Sequence, residues 1–312
     1  MIWFILSFGF TIIASSALIN RAEAWGFVDI PEERKIHVMP TPRTGGLAMV
    51  FGTLATIAVY MWTSHAWLPI PWQTLVAGTG FTVLGALDDR FSFHPRRKFP
   101  WLLLLGLLAA WPWAFGGTEG PYTFYLGQRV LQAPRWVAFP ILASWFFSVP
   151  NAVNIEDAIN GYMGGFTFIA LTVSALLGVN TLMILGALAG FLLLNFPKAR
   201  HFLGDAGSFG CGFAIAETLL RAGCNQKPLL ALVITAPISL DVSMGIIRRI
   251  RLWMSLFEAD RSTCPHHLVN LLNQSHILAT IILWANMGII SLLAFQSQIL
   301  ETFYLTLFAL SL

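Results

Sequence analysis

Apolar runs of near-spanning length, each ended by a polar or proline–glycine break, recur along the whole chain. They lie near residues 1–20, 46–64, 73–87, 99–115, 135–150, 163–178, 181–196, 206–222, 229–247, 276–295 and 300–312. A bilayer core is crossed by roughly 20 apolar helical residues. The pattern therefore predicts an all-α polytopic membrane protein with ten clear helices and a short eleventh, that is, ten to eleven spans. No connection is long enough for a soluble unit, so 1–312 reads as one integral membrane domain. Segment 116–134, with Gly116-Gly117, Gly120-Pro121 and alternating Tyr122, Phe124 and Leu126, predicts a small hairpin between two spans.

Composition agrees with the pattern. The 312 residues are 56% hydrophobic and 11% charged, against about 25% charged in an ordinary soluble domain. Cys211, Cys224 and Cys264 are far apart and lack CxxC spacing, which argues against a zinc site, an iron–sulfur site or a disulfide framework. Met1 to Asn20 lacks a basic leading segment and reads as the first span, not as a cleaved leader.

Charge then supplies sidedness. If the spans alternate from an external N-terminus, the loops at 21–45, 88–98, 151–162, 197–205 and 248–275 share one side and hold fourteen of the eighteen lysines and arginines. The positive-inside rule assigns that side to the cytoplasm. Twelve of the fifteen acids and six of the seven histidines also lie in or beside those loops, which no insertion rule requires. Acids and histidines gathered at one membrane face predict a polar site there.

Five segments carry the candidate chemistry. Asp88-Asp89-Arg90 closes the third span; adjacent carboxylates at a membrane boundary are costly to desolvate and serve metal chelation, phosphate chemistry or proton relay, or else a solvated helix end. In Asn151-Ala-Val-Asn154-Ile-Glu-Asp157-Ala-Ile-Asn160-Gly161, polar side chains recur every three residues, placing Asn151, Asn154 and Asp157 on neighbouring positions of one helix or turn face. Asn195-Phe-Pro-Lys198-Ala-Arg-His201-Phe-Leu-Gly204-Asp205-Ala-Gly207-Ser208 runs into a helix start, where amides can meet an anion beside a metal held by Asp205, or where Asp205 is an N-cap.

The loop from Arg248-Arg249-Ile-Arg251 through Asp260-Arg261 to His266-His267 offers cations and imidazoles to a diphosphate, or a positive-inside anchor. Asp241, inside the ninth span after Pro237, is a weaker candidate. Lastly, Arg34-Lys35-Ile-His37-Val-Met-Pro40-Thr41-Pro42-Arg43-Thr44-Gly45-Gly46 forms a stiff turn whose amides and hydroxyls can face a ligand.

In this order and topology the segments resemble the polyprenyl-phosphate N-acetylhexosaminyl-1-phosphate transferases, glycosyltransferase family 4 enzymes that start O-antigen, common-antigen and teichoic-acid linkage synthesis. The resemblance runs from Asp29 to His267, and Pro40-Thr-Pro-Arg-Thr-Gly-Gly46 is more similar to these initiators than to their phospho-MurNAc-pentapeptide transferase cousins. It implies a multi-pass enzyme of the bacterial inner membrane, acting in lipopolysaccharide or cell-wall biogenesis. The implied reaction is attack by polyprenyl phosphate on the sugar-bearing phosphorus of a UDP-amino sugar, releasing UMP with Mg2+ or Mn2+. By motif, it further implies Asp88, Asp89 and Asp157 as catalytic residues and Asp205 as the metal ligand. The donor and acceptor would then meet Lys35, His37, Thr41, Arg43, Thr44, Asn151, Asn154, Asn160, Asn195, Lys198, Arg248, Arg249, His266 and His267.

A homodimer is compatible with this reading, and nothing in the chain suggests nucleic-acid binding. Two motifs depart from type: the usual Asp-Gly-x-Asp-Gly reads Asp157-Ala-Ile-Asn160-Gly161, and the usual His-x-His-His survives as His266-His267 after Thr263-Cys264-Pro265. Two other classes remain open. A secondary transporter would place its polar groups near the bilayer midplane within broken helices, and an assembly protein would not need separated aspartates converging at one face.

Overall fold

The computed structural model describes residues 1–31, 39–65, 71–116, 120–126, 129–224, 228–255 and 263–310, and every structural statement concerns these. The chain opens with α1 (Ile2–Ile19), a short α2 (Ala22–Trp25) and two-residue strands β1 (Val28–Asp29) and β2 (Thr41–Pro42), followed by α3 (Gly45–Ser64), α4 (Trp72–Phe91) and α5 (Pro95–Phe115). A hairpin of β3 (Tyr122–Leu126) and β4 (Arg129–Ala133) leads to α6 (Arg135–Glu156), α7 (Tyr162–Leu176), α8 (Leu182–Asn195) and α9 (Gly204–Leu219). A π-helical turn at Leu220–Cys224, broken by Gly223 at φ +86°, ends α9; α10 (Pro228–Arg251), α11 (Cys264–Leu271) and α12 (His276–Leu310) complete the order.

Six helices are long and apolar enough to cross a membrane: α1, α3, α5, α6, α10 and the 276–297 part of α12; α7 and α8 are apolar but shorter. The expected tenth and eleventh spans are one helix. Gln296, Ser297 and Gln298 are polar, but none of them removes a backbone donor as proline would, so the helix runs through them. Ser297 Oγ donates a hydrogen bond to the Ala294 carbonyl at 2.7 Å. The expected hairpin is present as antiparallel β3–β4, with Phe124 opposite Leu131.

Packing places aromatics inside and aliphatics outside. Phe81, Phe146, Phe166, Phe191 and Phe209 are fully buried, and Phe213 lies 5.6 Å from Phe81 and 5.9 Å from Phe146, ring centre to ring centre. Phe51, Leu54, Leu104, Ile289 and Leu293 stand exposed on the outer surface, as helices solvated by lipid allow. α4 lies along α9, and α5 and α9 along α6, while α1 packs between α3 and α8. Antiparallel alternation then brings the C-terminal ends of α4, α6 and α8 beside the N-terminal ends of α3, α5, α7 and α9, and the polar motifs collect at that end.

Candidate active site

Asp88 and Asp89 sit on the last turn of α4, both buried, and because successive helical residues point about 100° apart they meet different neighbours. Asp88 Oδ1 accepts from the Phe93 amide at 2.6 Å, and its Oδ2 accepts from Lys98 Nζ at 2.5 Å. Asp89 turns to α9 and accepts from the amides of Asp205 at 2.8 Å and Ala206 at 3.0 Å. Leu203, at the N-cap position of α9, has no side chain able to cap, so Asp89 caps that helix from across the bundle. The approach requires glycine twice. A Cβ at Gly85 would strike the Asp205 carbonyl, and Gly204, at φ +71°, would press a Cβ against the Asp89 carboxylate.

Lys98 links the two acid motifs. Its ammonium lies 2.5 Å from Asp88 and 3.2 Å from Asp205, and 5.4 Å from the centre of the Phe209 ring. From sequence it reads only as one of the positive-inside cations. A signal was nonetheless present: Arg96, Arg97 and Lys98 stand in the first turn of α5, where the helix dipole disfavours cations, and Lys98 is held there by carboxylates of other helices.

The Asn151–Asn160 segment divides its work. Asn151 bonds back to the Phe147 carbonyl at 2.7 Å inside α6, whereas Asn154 donates to Ser208 Oγ at 2.8 Å on α9. The helix stops after Glu156, and Asp157 leaves it at φ −73°, ψ 63°. The turn that follows is pinned: the Gly161 amide donates to Asn195 Oδ1 at 2.6 Å, Asn195 Nδ2 donates to the His201 carbonyl at 2.9 Å, and Thr280 Oγ1 donates to the Asn160 carbonyl at 2.9 Å. Desolvation first, and the negative Asp205 second, push the Asp157 carboxyl up to about 7. A carboxyl in that range exchanges a proton readily near neutrality.

The β1–β2 ribbon closes the third side. Arg43 pairs with Asp29, its amide donates to the Phe27 carbonyl at 2.8 Å, and the Phe202 amide donates to the Pro42 carbonyl at 2.7 Å. Thr44 Oγ1 lies 3.5 Å from His201 Nδ1, and both residues are fully buried. Burial, aided by Arg200, lowers the His201 imidazole to about 4.

That shift gives a signed expectation for stability. The unfolded imidazole titrates near 6.5, so between pH 6.5 and about 4 unfolding takes up a proton that the folded state refuses. The folded state keeps its full stability above 6.5 and loses about 3 kcal/mol as pH falls to about 4. Thermal unfolding in detergent from pH 7.5 to 4.5 is expected to show a smaller acid loss in His201→Leu than in the parent, and parallel curves would exclude this burial effect.

Asp29, Arg43, Asp89, Asp157, Asn160, Asn195, Asp205, His266 and His276 contribute to the wall of one cavity of about 440 Å3. The structure thus gathers seven of the eighteen sequence candidates, Arg43, Asp89, Asp157, Asn160, Asn195, Asp205 and His266, on this wall and sets others aside. Thr41 bonds to the Met39 carbonyl at 3.0 Å, Thr44 faces His201, and Asn151 faces its own helix. Asp88 stands behind the wall through Lys98; Asn154 stands behind it through Ser208. Lys198 and His267 are exposed off the wall, and Arg248 and Arg249 occupy the last turn of α10 without contributing to it. Lys35 and His37 lie outside the described residues, as do Asp260 and Arg261. Asp29, Lys98 and His276 were not foreseen as site residues.

The donor set suits a hard divalent cation shared with a ligand. Among the described residues no three acids, histidines or cysteines converge into a metal cage. Mg2+ ordinarily needs only one or two carboxylates, with substrate phosphates completing its shell. Asp205 is the acid suited to this, with its side chain 29% exposed and on the cavity wall, while Asp88 at 6% is engaged by Lys98.

Comparison with known proteins gives concordant results. Glycosyl transferase family 4 matches residues 71–223, which contain Asp88, Asp89, Lys98, Asp157 and Asp205. The chain is similar to the probable undecaprenyl-phosphate N-acetylglucosaminyl 1-phosphate transferase of Bacillus subtilis, 27% identical over 88% of this chain and 78% of that protein. It is also 27% identical to the decaprenyl-phosphate N-acetylglucosaminephosphotransferase of Mycobacterium leprae, over 88% and 77%. The phospho-N-acetylmuramoyl-pentapeptide-transferase of Lactobacillus johnsonii is 26% identical over 91% of this chain and 94% of its own.

Proposed function

We propose, from the premise that this chain belongs to glycosyl transferase family 4, that it transfers an amino-sugar 1-phosphate from a UDP-sugar to a polyprenyl phosphate and releases UMP. The observation that carries the reading is the meeting of Asp89, Asp157, Asp205, Arg43 and His266 on one cavity at one end of the helix array. A soluble nucleotide sugar and a membrane lipid can meet only at such a boundary. A transporter would hold its polar groups at mid-depth. The same reading takes 1–312 as one domain with ten spans, in a bacterial inner membrane, with the cavity at the cytoplasmic face that its arginines mark.

In the reaction an oxygen of the lipid phosphate forms a bond to the sugar-bearing phosphorus, and the bond from that phosphorus to the oxygen bridging to the uridylyl phosphate breaks. The lipid phosphate needs no strong base, because a phosphate monoester's second pKa is near 6. Asp157 can accept or return a proton at the edge of the site, and Arg43 and His266 can face phosphate oxygens. Asp205 would hold magnesium, which supplies neutralising charge to the donor diphosphate. Asp89 fixes the Asp205 backbone, while Asp88 and Lys98 set the charge behind it.

The test is UMP release by purified protein in detergent with polyprenyl phosphate, Mg2+ and a panel of UDP-HexNAc donors that includes UDP-MurNAc-pentapeptide. UMP formation that requires both substrates is expected, and the best donor names the sugar. Uptake of the UDP-sugar into proteoliposomes without UMP formation would replace this reading with a transporter.

A further inference from the structure

At the end of the helix array away from the cavity lies a carboxylate that the reaction as derived does not use. Glu217, on the last turn of α9, is buried and is one of the three acids that do not lie in or beside the basic loops. An ionisable side chain enclosed among apolar helices is costly unless it is paired and hydrogen-bonded, and Glu217 is met on both oxygens. Its Oε1 accepts from Arg221 Nε at 2.8 Å, lies 2.7 Å from Arg221 Nη2 and accepts from the Thr74 hydroxyl at 3.4 Å. Its Oε2 accepts from Trp113 Nε1 at 3.0 Å, and the Arg221 guanidinium stands 5.9 Å from the centre of the Trp113 ring.

These partners come from three particular helices. Thr74 is in the first turn of α4, Trp113 in the last turn of α5 and Glu217 in the last turn of α9. The other ends of the same helices carry Asp88, Lys98 and Asp205, whose side chains also converge. Along each helix the two groups are roughly 20 Å apart, from a rise of about 1.5 Å per residue. α5 packs along α4 and α6, and long side chains near its two ends reach across to α9, Lys98 to Asp205 and Trp113 to Glu217. Pro100 and Pro112 each withdraw a backbone donor close to those residues, so side-chain ties weigh more in fixing the ends of α5.

We propose that Glu217 is a positioning residue for Lys98: through Trp113 it fixes the far end of α5 against α9, and the tilt so set keeps the Lys98 ammonium between Asp88 and Asp205. This deepens the transferase reading and rests on it for the effect on turnover, though not for the tie itself. A helix is stiff, so a small shift at one end of α5 reaches the other end as a change of tilt. A carboxylate suits the role because one group must accept from α4, from α5 and from the turn after α9 at once, and its two oxygens offer more acceptor positions than an amide or a hydroxyl.

Three variants separate the tie from general packing. Trp113→Phe removes the N–H donor and keeps an aromatic ring beside Arg221; Glu217→Leu removes every acceptor; Glu217→Gln keeps an oxygen for Trp113. The first readout needs no substrate: acylation of the lysines by acetic anhydride, followed by peptide mass spectrometry on the full chain in detergent. Lys98, its side chain 16% exposed between two carboxylates, should react slowly, and exposed Lys198 serves as the internal reference. Lys98 acylation relative to Lys198 is expected to rise about fivefold or more in Trp113→Phe and Glu217→Leu, and to stay within about twofold of the parent in Glu217→Gln. In UMP release the first two variants are expected to lower kcat about tenfold without raising the Mg2+ concentration for half-saturation. In a Lys98→Met background Trp113→Phe is expected to cause no further fall, because a residue that acts through Lys98 then has nothing left to place.

Unchanged Lys98 acylation in Trp113→Phe and Glu217→Leu overturns the proposal, as does parental kcat in both, or a Trp113→Phe loss that multiplies with that of Lys98→Met. A Glu217→Gln protein as damaged as Glu217→Leu overturns it as well. If Glu217→Leu does not fold, Trp113→Phe, which leaves the Glu217–Arg221 pair in place, decides alone. A parent that releases no UMP sinks the transferase reading alone, since Lys98 acylation still decides the tie.

Discussion

Asp205→Asn is expected to lower kcat for UMP release by about 10³-fold, close to 4 kcal/mol of transition-state stabilisation, while leaving the protein folded. The substitution isolates charge from architecture. The Asp205 amide stays bonded to Asp89, so the start of α9 keeps its cap. Asparagine retains the size and one acceptor oxygen for Lys98, whose ammonium lies 3.2 Å away. What disappears is the negative charge on the acid best placed for a divalent cation, with which the donor diphosphate would be neutralised. A Mg2+ titration at saturating substrates should therefore show a higher half-saturating concentration and a reduced plateau. A variant that reaches the parent's plateau at ordinary Mg2+ removes Asp205 from the chemistry.

Much of this arrangement was legible in sequence, for reasons that also explain what was not. Helices were legible because apolar runs end where proline, glycine or charge interrupts them, and the bounds of α1, α3 and α8 lie close to those runs. The expected division at 296–299 is absent because polar side chains alone do not end a helix whose backbone hydrogen bonds can continue. The paired acids were legible as a site because two carboxylates at a membrane boundary need partners. Their separate tasks were not, since Asp88 facing Lys98 and Asp89 capping α9 follow from how α4 crosses its neighbours.

The three-residue spacing of Asn151, Asn154 and Asp157 suggested one binding face. The helix end after Glu156 splits it into a self-bonded residue, a brace to Ser208 and a cavity acid. Lys98 was hidden in another way, among basic residues that the positive-inside rule already accounted for.

Lys98→Met carries the second large expected effect, a fall in kcat of about 10²-fold with no rise in the Mg2+ concentration needed for half-saturation. Lys98 Nζ stands between Asp88 and Asp205 and is itself largely buried, so its charge is weakly screened by water. Methionine keeps an unbranched side chain of similar length beside Phe209 and removes the cation. Two carboxylates then face each other without a counterion, which draws a divalent ion in more readily but lets it settle between Asp88 and Asp205, away from the donor diphosphate. Metal binding and turnover should thus part company: equal or tighter Mg2+ dependence with a depressed plateau. A Lys98→Met protein with parental kcat would show that the ammonium only anchors α5. One whose loss of rate is repaired by excess Mg2+ would show that Lys98 aids metal binding and does not set where the metal sits.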